Sequence, residues 1–173
     1  QVTLSEPPIA RHRLSLILAL PRPKMLRRTF RTAAEFGVSE IHLIHSYRVE
    51  KSYWQSPLLA PDKVQSALIT GLERSGGTEL PKIQMHRRFK PFVEDVLPNM
   101  SKEKSLYVAH PGRHTTFNTI TPNIGYGMIG PEGGFIPYEI DKAIEAGGTL
   151  VSLGTRIFSV DTAVCSLLAQ SIN

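Results

Sequence analysis

The stretch IGYGMIGPEGGFIPYEI, Ile124–Ile140, changes character twice within its length. Ile124–Gly130 is an apolar run of strand length. Gly130–Phe135 then holds three glycines, a proline and one carboxylate, and Pro137 suits the first turn of a helix. Gly130, Gly133 and Gly134 lack a Cβ, so the backbone there can take positive φ and let another molecule come close. Glu132 reads in two ways, as a solvated carboxylate in a tight turn or as a group aimed at whatever the loop admits. A strand–loop–helix unit of this kind belongs to an open parallel sheet, which binds its ligands at the carboxyl ends of the strands.

The unit recurs along the chain. LSLILAL (Leu14–Leu20) reads as a fully buried strand closed by Pro21. Pro23–Phe36 reads as a helix with Leu26, Phe30, Ala33 and Gly37 on one face and Lys24, Arg27, Arg28 and Arg31 on the other. Gly37 closes it as a C-cap, and EIHLIH (Glu40–His45) is the next strand. Asp62 is expected to N-cap a helix running through Leu72, with Val64, Ala67, Leu68 and Leu72 inward. Lys82–His86 and Ser105–His110 read as strands around a short helix at Phe92–Leu97. The helix at Pro137 is expected to turn Ile140, Ala143 and Ile144 inward and to end at Gly147–Gly148. Thr149–Gly154 is the last strand, and a final helix starts near Asp161 or Thr162. The fold class is α/β, a mostly parallel sheet with helices on both faces. Loops around Ser46–Pro61 and Pro111–Asn123 are long enough to carry function.

Composition narrows the functional classes. A chain of 173 residues, 41% hydrophobic and 20% charged, suits one globular domain rather than disorder. Its apolar runs are too short to span a bilayer. No signal-peptide pattern is read. The single Cys165 excludes an internal disulfide and fits a cytoplasmic location; in its apolar helical surroundings it reads as a buried small hydrophobe. The net charge of +5 is gathered in clusters: Arg11 and Arg13; Arg22, Lys24, Arg27, Arg28 and Arg31; Arg87, Arg88 and Lys90. These are either solvated surface or a polyanion footprint. His42 and His45 point to opposite faces of a strand, and His110 and His114 lack a third ligand, so no metal is expected. No G-x-S-x-G or P-loop pattern is present, nor a G-x-G-x-x-G that follows a strand.

A second segment, LGTRIFSVDTAVCSLLAQ (Leu153–Gln170), again leaves a strand through a glycine and enters a helix. Two such loops at the ends of two late strands can form facing walls of one pocket. Leu153, Ile157 and Phe158 beside backbone amides would suit an adenine ring.

IGPEGGF followed by Glu139, together with LGTRIFSVDTA, resembles the signature of the RsmE-type ribosomal RNA uridine-N3 methyltransferases. These belong to the SPOUT class. PKMLRRTFRTAAEFGVSEIHLIHSYRVEKS (Pro23–Ser52) and ERSGGTELP (Glu73–Pro81) are similar to further blocks of that family, so the resemblance covers nearly the whole chain. It implies a C-terminal trefoil knot within residues 14–173 that holds S-adenosylmethionine. Residues 1–13 would be the trailing edge of an N-terminal RNA-binding β-barrel, or a linker. The implied cofactor contacts are Ile129, Gly130, Pro131, Gly133, Gly134, Leu153, Gly154, Ile157, Phe158 and Thr162. Glu132 and Asp161 are implied as proton acceptors or their orienting groups, and Arg48 as a holder of base or phosphate. Lys24, Arg27, Arg28, Arg31 and Arg156 would meet RNA. The implied partners are ribosomal RNA of the small subunit and a second copy of the chain, joined through the knot. Ribose 2′-O-methylation, or a catalytically silent RNA-binding module, are the alternatives. Where the family carries arginine and glutamate in the second motif, this chain has Ser159 and Asp161. Thr32 replaces a common lysine, and Gly77 falls where an arginine is usual.

Overall fold

A computed structural model describes residues 7–120 and 122–172. Expectations for residues 1–6 lie outside the described residues. Seven strands, β1 (Leu14–Ala19), β2 (Glu40–Ile44), β3 (Lys82–His86), β4 (Ser105–Ala109), β5 (Thr115–Thr116), β6 (Gly125–Ile129) and β7 (Gly148–Ser152), form one sheet in the order β3-β2-β1-β6-β4-β7-β5. All neighbours are parallel. Every residue of β1 and of β6 is buried, because helices cover both faces of the sheet centre.

Helices α1 (Pro23–Glu35), α2 (Pro61–Ser75) and α6 (Val160–Ala169) share one face, with α1 packed on both others. The opposite face carries α3 (Phe89–Pro91), a π-turn (Phe92–Val96), α4 (Leu97–Glu103) and α5 (Pro137–Glu145). This division follows from the direction in which the crossovers travel along the sheet, given their uniform hand. Contact between α1 and α2 requires Gly71: a Cβ there would stand 2.3 Å from the Arg31 carbonyl oxygen.

Leu26, Phe30 and Ala33 are buried while Lys24, Arg27 and Arg28 are exposed, and Gly37 follows the helix at φ +73°. Four expectations need correction. Asp62 does not cap α2; Ala60 is the N-cap, Pro61 opens the helix, and Asp62 lies in its first turn. Ile144 is exposed because Glu139 and Ala143 take the inner stripe of α5, turning Ile144 outward. Cys165 is exposed as well, since Val164, Leu167 and Leu168 face the sheet. The short helix at Phe92–Leu97 is the middle of a helical stretch over Phe89–Glu103. Pro91 and Pro98 look like boundaries in sequence, yet the π-turn and the helix starts absorb their missing N–H groups. The two long loops also contain short 3₁₀ turns, at Lys51–Gln55, Pro57–Leu59 and Phe117–Thr119, and the second holds β5.

Candidate functional site

Because all strands run the same way, their carboxyl ends share one edge. There, beyond β1, β6, β4 and β7, a cavity of about 500 Å³ opens. Its walls are Ile129–Phe135, Ser152–Gly154 with Arg156–Val160, and Ala109–Pro111; Arg22 and Ala163 complete it. The two glycine-bearing loops thus meet, with Gly130 and Gly154 lining one space. The volume suits a nucleoside-sized ligand.

The first wall is anchored on several sides. Gly134 takes φ +74° and its N–H closes a turn on the Pro131 carbonyl at 2.8 Å. Glu132 lines the cavity and accepts a hydrogen bond from the Arg22 backbone N–H at 3.1 Å, with the Arg22 Nε 3.9 Å away. Outside the loop, the Arg48 guanidinium donates to the Gly133 carbonyl. A Cβ on Gly133 would stand 2.9 Å from Arg48 Cδ, so glycine permits this contact. Arg48 therefore braces the loop and is not a wall of the cavity.

Glu139, which sequence reasoning quoted only as part of a pattern, is 2% exposed. One carboxylate oxygen accepts from the Tyr47 N–H at 2.7 Å, the other from the Ile136 N–H at 3.0 Å. It joins the loop after β2 to the start of α5. The available signal was its place as the third residue of a helix opened by Pro137, where a carboxylate reaches back to the N-cap amide.

The second wall is held more lightly. The Ser152 hydroxyl donates to the Gly154 carbonyl at 2.9 Å, and Gln170 Nε2 donates to the Leu153 carbonyl at 3.3 Å. Gly154 has φ +142°, and within 4.0 Å an added Cβ would meet only the Phe158 ring, so this position faces open space. Ile157 lines the cavity while 83% exposed, which puts it at the mouth. Thr162 and Asp161 lie outside the walls. The Ser159 hydroxyl pairs with Asp161 Oδ1 at 2.6 Å and with the Thr162 hydroxyl at 2.9 Å. Arg28 donates to Asp161 Oδ2 at 2.9 Å. The Ser159 hydrogen bond, with help from Arg28, holds the Asp161 carboxyl below the ordinary carboxylate range. Such a group anchors the start of α6 and is a poor proton acceptor.

Of the basic residues expected at RNA, Arg156 lines the cavity, Lys24 and Arg27 are exposed, and Arg28 and Arg31 have acidic partners in Asp161 and Glu35. His110, considered in sequence only as a metal ligand, also lines the cavity, its Nδ1 3.3 Å from His114 Nε2. Burial, then the neighbouring His114, pushes the His110 imidazole below its ordinary range, so it stands neutral at pH 7.

Residues 8–171 match the family described as the RNA methyltransferase domain. The chain belongs to that family. Among curated relatives of this RNA methyltransferase domain, ribosomal RNA small subunit methyltransferase E of Treponema pallidum is 30% identical over 167 residues, 90% of this chain and 60% of that protein. Ribosomal RNA small subunit methyltransferase E 2 of Borreliella burgdorferi is 30% identical over 163 residues, 90% of this chain and 64% of that protein. The chain therefore spans less than two thirds of these relatives. Among solved structures, ribosomal RNA small subunit methyltransferase E from Neisseria gonorrhoeae, bound to S-adenosyl methionine, has a TM-score of 0.75 at 25% identity, over 94% of this chain and 66% of that one. A Legionella pneumophila protein gives 0.74 at 23% identity, over 92% and 66%, and shows the shared fold. The α/β arrangement expected from the SPOUT resemblance is thus the one observed. Within the RNA methyltransferase domain, Ile129–Phe135 of the first quoted motif and Leu153, Gly154 and Arg156–Val160 of the second form the two facing walls.

Proposed function

We propose that this chain transfers a methyl group from S-adenosylmethionine to N3 of a uridine in small-subunit ribosomal RNA. The observation that carries the reading is the meeting of Gly130–Phe135 and Leu153–Phe158 around one cavity. Apolar Leu153, Ile157 and Phe158 can flank an adenine. The open space at Gly154 leaves room for ribose against the backbone. The names of the curated relatives support the ribosomal substrate, and the Neisseria structure supports the methyl donor.

When bound, S-adenosylmethionine supplies a methyl group made electrophilic by its sulfonium. The chain must hold the uridine N3 in line with that methyl and let the imide proton leave. Of the two carboxylates considered, Glu132 stands at the cavity and is assigned the proton or its positioning, while Asp161 anchors a helix. Arg156, at the same cavity, is assigned to phosphate or base. We further assign to the chain a trefoil knot formed by the passage from β7 into α6, a homodimer through that knot and a cytoplasmic location.

Incubation with small-subunit ribosomal RNA lacking the modification, with labelled S-adenosylmethionine, tests this. Mass spectrometry should locate one new methyl on a uridine base at N3. A methyl on the ribose would move the reading to 2′-O chemistry. Cofactor binding with no transfer would make the chain a silent binding module.

A further inference from the structure

We propose that Tyr47 and Tyr138 form a stacking platform for unpaired bases of a single-stranded RNA, with Arg87, Arg88 and Lys90 meeting its phosphates, while the adjacent nucleotide enters the cavity. The inference rests on the RNA methyltransferase reading and specifies the form of substrate that the site accepts.

Tyr47 is 77% exposed and Tyr138 is 45% exposed, on the same edge of the sheet as the cavity. Glu139 brings them together: it accepts from the Tyr47 N–H and is the next residue after Tyr138. A buried clamp therefore presents the water-facing Tyr47 ring and the half-exposed Tyr138 ring, which has the Lys142 ammonium 5.9 Å from its centre. Arg48, next to Tyr47, packs on the outside of Gly133, whose other side lines the cavity. The platform and the cavity are thus neighbours across one loop. The Phe89 ring lies 6.5 Å from Tyr138, which sets the exposed Arg88 and Lys90 beside it. Arg87, also exposed, stands 5.2 Å over the Trp54 ring at the end of β3. The exposed acids nearby in sequence are Glu50, Glu94 (3.9 Å from Lys90), Asp95, Asp141 and Glu145, beside the exposed cations Arg48, Lys51, Arg87, Arg88 and Lys90.

This pairing of solvent-facing rings with cations suits unstacked bases on a phosphate backbone. A duplex keeps its bases stacked inside and offers these rings nothing. The sequence singled out Arg87, Arg88 and Lys90 as one of three basic clusters, and the cavity uses none of them. Across the mouth, exposed Ile157 and Arg156 supply an opposite rim.

Fluorescence anisotropy with a short unstructured RNA oligonucleotide, alone or annealed to its complement, tests the platform. Tyr47→Ala with Tyr138→Ala should weaken single-strand binding by roughly 30-fold or more, as expected for losing two base–aromatic stacks. The paired Tyr→Phe variant keeps both rings and should bind like wild type. Replacing Arg87, Arg88 and Lys90 by Gln should lower the salt dependence by about 0.7 per lost phosphate contact. Calorimetry with S-adenosylmethionine should be unchanged in all three variants. Unaltered single-strand binding without the rings, or a wild-type preference for the duplex, overturns the platform. If wild type takes the methyl donor but no RNA, the platform falls and the methyl-donor reading stands. If RNA binding depends on the rings but the methyl donor does not bind, the platform stands and that reading falls.

Discussion

The loop Gly130–Phe135 is tied to the fold through the Glu132 side chain on the Arg22 amide and the Gly133 carbonyl on Arg48, with Glu139 fixing the adjoining Ile136 amide, whereas Leu153–Phe158 is held by Ser152 and Gln170 near its start. The first loop is fixed by charge-assisted hydrogen bonds and keeps its shape without a ligand. The second leaves a large apolar side chain, Ile157, facing water at the cavity mouth. Side chains behind the first wall should therefore matter to folding, and those of the second should matter to what binds. The carboxylates at the two following helices repeat the contrast. Glu139 is buried and serves two loops, while Asp161 sits nearer solvent in an ion pair.

The largest effect should come from Glu139→Ala. It leaves the Tyr47 and Ile136 amides without their partner in a partly buried place, and urea unfolding should show a loss of about 1–3 kcal/mol. A loss below ~1 kcal/mol would mean that the first wall is not held as described. Arg48→Ala removes a more exposed tie and should cost about 1 kcal/mol in the same assay. It should also weaken ligand binding by loosening Gly133. Unchanged ligand affinity would separate bracing from binding and remove Arg48 from the account.

Asp161 supplies a pH signature. Its carboxyl is held low in the folded chain, so its contribution is complete above the ordinary carboxylate range and is lost as pH falls through the lowered value. The Tm difference between wild type and Asp161→Asn should be present at neutral pH and shrink below about pH 4. A difference independent of pH would contradict the pairing with Ser159 and Arg28. The smallest change in stability belongs to Ile157→Ala, within about 0.5 kcal/mol because the side chain is already in water. That variant should nonetheless weaken ligand binding. Measurable destabilisation with intact binding would reverse the assignment of the two walls.

The parallel sheet, the α1 stripe and the meeting of the two loops were legible because each rests on local pattern: buried runs, spacings of three and four, glycines at strand ends. Which side of a helix faces inward was less legible where the pattern was too apolar or too short. In α6, Cys165 sits among Val164, Leu167 and Leu168, and periodicity alone could not exclude it from the core. In α5, a buried carboxylate displaced Ile144, and Glu139 had entered the sequence reading only as part of a motif. The bracing by Arg48, and the pairing of Arg28 with Asp161 across 133 positions, depend on contacts that no local window contains. Sequence therefore located the cavity more surely than it assigned the charged residues around it.

Calorimetric titration of S-adenosylmethionine into wild type and Gly154→Leu, with circular dichroism to verify folding, tests the two-wall cavity most directly. The expected result is one molecule bound per wild-type chain, and none by a folded variant whose added side chain projects into the open space. Absence of binding to wild type, or equal binding by the two proteins, would contradict it.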